Sequence, residues 1–309
     1  MDTDCHVHAV LDGIDFKASI AAHRTEAGPD EARIRSMLSA YQRRGVTYLR
    51  DGGDRWGACL AARRLAPEYG IEYAAPLAPL YKKGNYGKFI GRGYADLREF
   101  AALVDEMKAA GADFIKVMLS GIMDFDHYGV VTGFTLEKSL VRDLIAVAHD
   151  RGLPVMGHVN GARAIQDAVE AGIDSVEHGY YSDEESRAAL AESDTVWVPT
   201  LSPILNLVGT GIASDEVLER IGAAQFEAIA WVAEHGGRVA LGDDAGAHAV
   251  RHGQGAADEL GYLRNALGRR ADEVIGHGNA ALRSVFRPRV RSLGAPCPAA
   301  EPHCLRDDG

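Results

Sequence analysis

The chain has 309 residues, 47% hydrophobic and 25% charged, with a formal net charge of −11. Folding at this size hides about three quarters of the surface of the unfolded chain, which permits a large core. The acidic excess, with no basic stripe, argues against nucleic acid and anionic membranes as partners. The first fourteen residues carry two histidines and several aspartates and read as neither signal peptide nor membrane span. Four cysteines (Cys5, Cys59, Cys297 and Cys304) form no CxxC pair. Cys5 reads as a small buried residue, and the whole as a cytoplasmic, reduced chain.

Eight short β-rich runs alternate with helical patterns. Met1–Cys5 comes first and leads into His6-Val7-His8. Ile34, Met37, Leu38 and Tyr41 then recur at helical spacing before Gly45, and Val46–Arg50 is the second run. The third, Ile71–Leu77, follows Gly70. Leu97, Phe100, Ala101, Val104 and Met107 make a helical face before Gly111 and the fourth run, Asp113–Leu119. Leu140, Leu144, Val147 and Ala148 precede Gly152 and Leu153–His158. Ile165, Ala168 and Val169 precede Gly172 and Ser175–His178, after which come Val196–Thr200 and Val239–Gly242. Unbroken apolar runs suit parallel strands covered by helices. Helix, glycine and strand in repetition predict an α/β fold, and eight strands predict a closed (β/α)8 TIM barrel. An open doubly wound sheet would need a glycine-rich loop after the first strand, where His6-Val7-His8 stands instead. Residues 1–286 form this barrel on the sequence reading; residues 287–309, rich in Arg, Pro and Ala without periodicity, form an irregular tail.

Barrel active sites lie at the C-terminal strand ends. His6 and His8 are two apart, so both side chains leave one face of a strand and can grip one ion; the bland alternative is two surface imidazoles. Lys116 interrupts the apolar strand Phe114–Met118, where an ammonium is costly unless paired or neutralised. It is therefore either ion-paired across the barrel or a lysine of lowered pKa that takes up CO2 as a carbamate. His158 and His178 end successive strands. Asp244 follows the last strand beside its rival Asp243, and alternation turns only one of the two inward.

At these residues the chain resembles the amidohydrolase superfamily of metal-dependent hydrolases. Asp4-Cys5-His6-Val7-His8 resembles its first-strand HxH motif. Ile115-Lys116-Val117-Met118 with Ser120-Gly121 resembles the fourth-strand motif of the branch with a carboxylated lysine. His158-Val159-Asn160-Gly161 and Ala171 through Gly179 resemble strands five and six, and Gly242-Asp243-Asp244-Ala245-Gly246 the eighth-strand turn, which selects Asp244. The imidazolonepropionase-like and Xaa-Pro dipeptidase-like members are the nearest in pattern, and the likeness covers roughly residues 3 to 286. Three features depart from it: the flanking β-sandwich is largely missing, Asn160 stands where many relatives have a second histidine, and the tail matches nothing in the family.

The resemblance implies two divalent metal ions, most simply zinc. His6, His8 and Asp244 would hold one, His158 and His178 the other, with carboxylated Lys116 between them. It implies hydrolysis of a C–N bond in an amide, cyclic amide or dipeptide-like substrate by a metal-activated hydroxide. Asp244 would serve as general base and acid, and His178 counts with it among the catalytic residues. Tyr81, Lys82, Lys83, Tyr86 and Arg92 could receive a substrate carboxylate or be a solvated basic loop. Tyr180, Tyr181, His248 and His252 sit beside the proposed ligands, and His127 and Tyr128 lie in a loop, Asp124–Gly133, that could cover the site. His23, His149, His235 and His277 receive no function. The expected partner is a small-molecule substrate, without nucleic acid or membrane, and a homo-oligomer is compatible. The alternatives are a mononuclear deaminase, which would need a glutamate that Asn160-Gly161-Ala162 does not offer, a lactone or ester hydrolase, and a non-catalytic barrel.

Overall fold

The computed structural model describes residues 2–289. The chain opens with β1 (Thr3–Val7), α1 (Phe16–His23), α2 (Glu31–Gln42), β2 (Tyr48–Asp51) and α3 (Ala58–Leu65). Three short strands follow, β3 (Glu72–Ala74), β4 (Leu80–Lys82) and β5 (Arg92–Tyr94), then α4 (Leu97–Ala110) and β6 (Ile115–Met118). Next are α5 (Lys138–His149), β7 (Val155–Val159), α6 (Ala162–Glu170), β8 (Ser175–His178), α7 (Glu184–Glu192) and β9 (Val196–Val198). The last elements are α8 (Ser202–Leu205), α9 (Asp215–Glu234), β10 (Arg238–Val239), α10 (Gln254–Leu267) and α11 (Ala271–Val285).

Every ladder is parallel. One sheet runs β1-β2-β3 and the other β10-β9-β8-β7-β6-β4-β5. Backbone hydrogen bonds span both gaps between them. Cys5 N–H donates to the Leu241 carbonyl and His8 N–H to that of Ala245, both at 2.8 Å, and Asp113 N–H donates to Ala75 at 3.0 Å. The wall is therefore a (β/α)8 barrel whose third position is shared by β3 and β4. The continuous third strand expected over Ile71–Leu77 is broken for a local reason: Pro76 and Pro79 remove two ladder donors, and Leu77 turns into the left-handed region at φ 75°. The first strand reaches Val7, past the expected end at Cys5, because Val7 pairs with Asp51 and Ala245. β5, which pairs with β4, was not foreseen.

The helices form where capping and periodicity agree. In α4, Asp96 accepts from the Glu99 N–H at 2.8 Å, Phe100, Val104 and Met107 are buried, and Gly111 ends the helix at φ 88°. The N-terminal end of the barrel is closed by Phe286, which packs edge-on against Phe114 at 5.2 Å and beneath the Arg50 guanidinium at 4.4 Å. Tyr48 adds a hydrogen bond from its hydroxyl to the Phe286 carbonyl, 2.7 Å. Among the described residues no sheet lies apart from the barrel wall and its β5 extension. No described helix is long and apolar enough to cross a membrane. Of the predicted tail, residues 290–309, with Cys297 and Cys304, lie outside the described residues. Cys5 and Cys59 are buried free thiols.

Candidate active site

Five strands deliver the six chemistry-bearing residues to one end of the barrel. His6 lies on β1 and His8 just beyond it, Lys116 on β6, His158 on β7, His178 at the end of β8, and Asp244 after β10. The Asp244 Oδ1 is 3.3 Å from His6 Nε2 and 3.2 Å from His8 Nε2. Ring centroids are 5.3 Å apart for His6 and His8, 5.2 Å for His6 and His178, and 4.5 Å for His158 and His178. Donor atoms of His6, His178 and Asp244 all fall within 4.8 Å of one another. Lys116 Nζ is buried in the same cluster and has no hydrogen-bond partner. The ion pair considered for it is not formed. Asp243 faces away, where its Oδ1 accepts from the Ala245 N–H at 2.8 Å.

Burial, followed by the Lys116 charge, pushes His158 down to about 3, and burial likewise holds His6 and His178 well below the usual imidazole range. The three rings are thus neutral, the form that binds metal. Burial lowers Lys116 to about 8 against the opposing pull of Glu177 and Asp244. For Asp244 burial acts upward, but His6, His8 and Lys116 outweigh it and keep the carboxyl below its ordinary value.

A second set of residues orients the imidazoles. His6 Nδ1 is 2.8 Å from Glu177 Oε2, and the other Glu177 oxygen accepts from Arg50 at 2.7 Å. Arg50 also donates to Ser175 Oγ and to the Cys5 carbonyl, each at 2.7 Å. His178 Nδ1 hydrogen-bonds with Thr200 Oγ1 at 2.7 Å, and its carbonyl accepts from Trp197 Nε1 and Gln225 Nε2. His158 donates from Nε2 to the Gly121 carbonyl at 3.0 Å. Each ring so engaged keeps its other nitrogen for a ligand. His178, Thr200 and Asp244 hold left-handed backbones (φ 68°, 48° and 56°), a strain that these contacts offset. Sequence reasoning missed Arg50, Glu177 and Thr200. Their signal was weaker than that of Lys116: Arg50 and Glu177 are charges next to apolar strand residues, but each has a polar neighbour, Asp51 or His178, at the strand end.

Above the cluster opens a cavity of about 460 Å3. Tyr86, Tyr180, Asn160 and His248 line it, as do Met123 and Phe125 from the loop after β6. Asn160 donates to the Gly121 carbonyl at 3.1 Å and accepts from the Tyr180 N–H at 3.2 Å, which ties together the loops after three strands. Other residues singled out from the sequence lie elsewhere. Arg92 is held bidentate by Glu106 of α4 at 2.6 and 2.9 Å. Tyr81 packs against the backbone of Gly87, Gly91 and Gly93. Tyr181 meets the Tyr128 ring at 5.3 Å, outside the lining. His252 donates to the Leu11 carbonyl at 2.7 Å, and Lys83 and His127 pair with Glu99 and Asp124. Of the remaining histidines, His149 pairs with Asp174, His235 stacks on Trp231, and His23 accepts from the Asp30 N–H.

The family model described as the amidohydrolase family matches residues 3–282. The chain belongs to the amidohydrolase family. It is 28% identical over 276 residues to the ochratoxinase of Aspergillus niger, a match covering 78% of this chain and 56% of that one. An uncharacterized protein of Mycobacterium tuberculosis is 31% identical over 143 residues, 44% of this chain and 38% of its own. The chain thus spans about half the length of the curated relatives it matches, or less. Among solved structures, A. niger ochratoxinase superposes with a TM-score of 0.76 at 22% identity, covering 93% of this chain and 71% of that one. A Xaa-Pro dipeptidase with methionine bound in its active site gives a TM-score of 0.73 at 21% identity, covering 94% and 77%. These likenesses establish the amidohydrolase barrel for this chain.

Proposed function

We propose that the chain is a metal-dependent hydrolase of an amide C–N bond. The observation that carries this reading is the buried, unpartnered Lys116 amine set among four histidines and Asp244. An uncompensated ammonium there is costly, whereas an amine that takes up CO2 becomes an anionic oxygen donor. The donor set, neutral imidazoles with carboxylate-type oxygens, fits zinc. His6, His8 and Asp244 would hold one ion, His158 and His178 a second, with carboxylated Lys116 serving both. Bound divalent ions supply Lewis acidity that acidifies water and polarises a carbonyl. The names of the ochratoxinase and the Xaa-Pro dipeptidase point to hydrolytic relatives on the same barrel.

The chain's own residues account for the proton traffic. Asp244 stays ionised, so it takes the proton of the attacking water and returns it to the leaving nitrogen. Glu177 and Thr200 fix the tautomers of His6 and His178 through their Nδ1 atoms. Apolar walls around this floor exclude bulk water from the reacting bond. A small-molecule substrate in the cytoplasm, without nucleic acid or membrane, suits the net charge of −11 and the size of the cavity.

The test is metal content per chain after purification with zinc and bicarbonate, beside Lys116→Ala. About two ions in the parent and a marked loss in the variant are expected. A second reading, one ion held by His6, His178 and Asp244, is favoured by the 4.8 Å convergence of their donor atoms. One ion in both proteins would select it and retire the bridging role of Lys116.

A further inference from the structure

The outer part of the cavity differs sharply from its floor. Phe16, Ile20, Phe89, Ile122, Phe125 and Leu207 come from four separate strand-to-helix connections, so the cavity is ringed by apolar side chains rather than flanked on one side. Phe16 and Phe89 are 38% and 39% exposed and stand at the mouth, where Phe89 meets the Tyr86 ring at 5.6 Å and both leave large apolar surface facing water. Among the described residues of the lining, Lys17 is the one charged side chain outside the Lys116 and Asp244 floor. Asp244, the one carboxylate of that lining, lies within 3.3 Å of His6 and His8.

These facts bear on what can enter. A free dipeptide brings an ammonium and a carboxylate, and both must leave water. The outer cavity gives the ammonium no carboxylate, and unpaired buried charge is strongly disfavoured. A large apolar group gains in proportion to the surface it buries. The volume of about 460 Å3 suits a ligand larger than a single amino acid side chain.

Resting on the amide-hydrolase reading above, we propose that the substrate is an amide with a large apolar acyl or aryl group and no free α-ammonium, and that this group occupies the ring between Phe16, Phe89 and Phe125. The bond broken is the amide C–N bond. Water supplies hydroxyl to the acyl carbon and a proton to the departing nitrogen, so no further reactant enters.

The experiment has two arms on the zinc-loaded full chain. In one, kcat/KM is measured for glycine acylated with acetyl, butanoyl, hexanoyl and octanoyl groups, beside the unblocked dipeptide Ala-Gly. In the other, the non-hydrolysable 1-butanol to 1-octanol series is titrated by calorimetry. Both should rise by up to about fourfold per added methylene until the cavity is filled, with Ala-Gly at the bottom. F16S/F89S should flatten both trends. A flat series, a preference for Ala-Gly, or trends unchanged in F16S/F89S would overturn the apolar-site proposal and leave amide hydrolysis standing. A rising alkanol series without cleavage of any amide would uphold the apolar site and retire the amide reading.

Discussion

His6 Nδ1 lies 2.8 Å from Glu177 Oε2, two strand-borne side chains meeting inside the barrel with essentially no exposure. Glu177 is held in turn by Arg50 at 2.7 Å, so the orientation of the first-strand imidazole depends on a charge carried by the second strand. Arg50→Met strands the Glu177 carboxylate and should cost about 3–5 kcal/mol in urea unfolding. Replacing both, as R50M/E177M, should cost clearly less than the two single changes added together. An additive double variant would sink the pairing argument. Separately, Glu177→Gln should weaken zinc binding about 10- to 100-fold in a competition titration, through the loosened His6 ring.

Lys116 should bind CO2 in a pH-dependent way. Only the neutral amine reacts, and burial has brought its pKa down to about 8. Each carbamate formed also releases a proton, so at fixed dissolved CO2 the ratio of carbamate to free lysine should rise by about a hundredfold per pH unit below 8 and about tenfold per unit above it, until the site is saturated. The 13C NMR signal of protein equilibrated with labelled CO2 reads this directly. A plateau reached already at pH 6, or no carbamate at pH 9, would contradict the neutral-amine argument.

Gly52 makes room for a single ring. A Cβ at this position would come within 2.2 Å of His8 Cε1, and nothing else is met as closely. Gly52→Ala should displace the His8 imidazole and lower zinc affinity by at least about tenfold, as expected for a ligand held off its position. Circular dichroism of the metal-free protein should be unchanged. If zinc titration curves of parent and variant overlay, His8 does not contribute to binding.

Zinc should stabilise the folded chain by mass action. At a free concentration about a hundredfold above Kd the gain is about 2.7 kcal/mol, a melting-temperature rise of several degrees. Dipicolinate should reverse it. The same scan on His178→Ala, which removes a ring packed 4.5 Å from His158 and 5.2 Å from His6, should show most of the rise abolished. A full rise in that variant would remove His178 from the ligand set.

The fold is legible in the sequence where a signal is local. Helix α4 was visible because Leu97, Phe100, Val104 and Met107 share one face and Gly111 can end the turn in a left-handed conformation. Lys116 stood out because an amine in Phe114-Ile115-Lys116-Val117-Met118 contradicts its apolar neighbours. The same test passed over Arg50 and Glu177, whose neighbours Asp51 and His178 made them look like ordinary strand-end polar residues. The double-proline stretch Pro76–Pro79 carried a readable warning against one continuous third strand.

By itself, the sequence determined the alternation of strand and helix and the residue types at the strand ends, because periodicity, glycine stops and isolated polar residues act over a few positions. Only the tertiary structure decided which of those residues face one another. Convergence of His6, Lys116, His178 and Asp244 requires the two sheets to join through Cys5 and Leu241, a contact between the first and the last strand. It also decided that Arg92 turns to Glu106 while Phe16 and Phe89 stand at the mouth. Such choices depend on packing between distant segments, which no local pattern encodes.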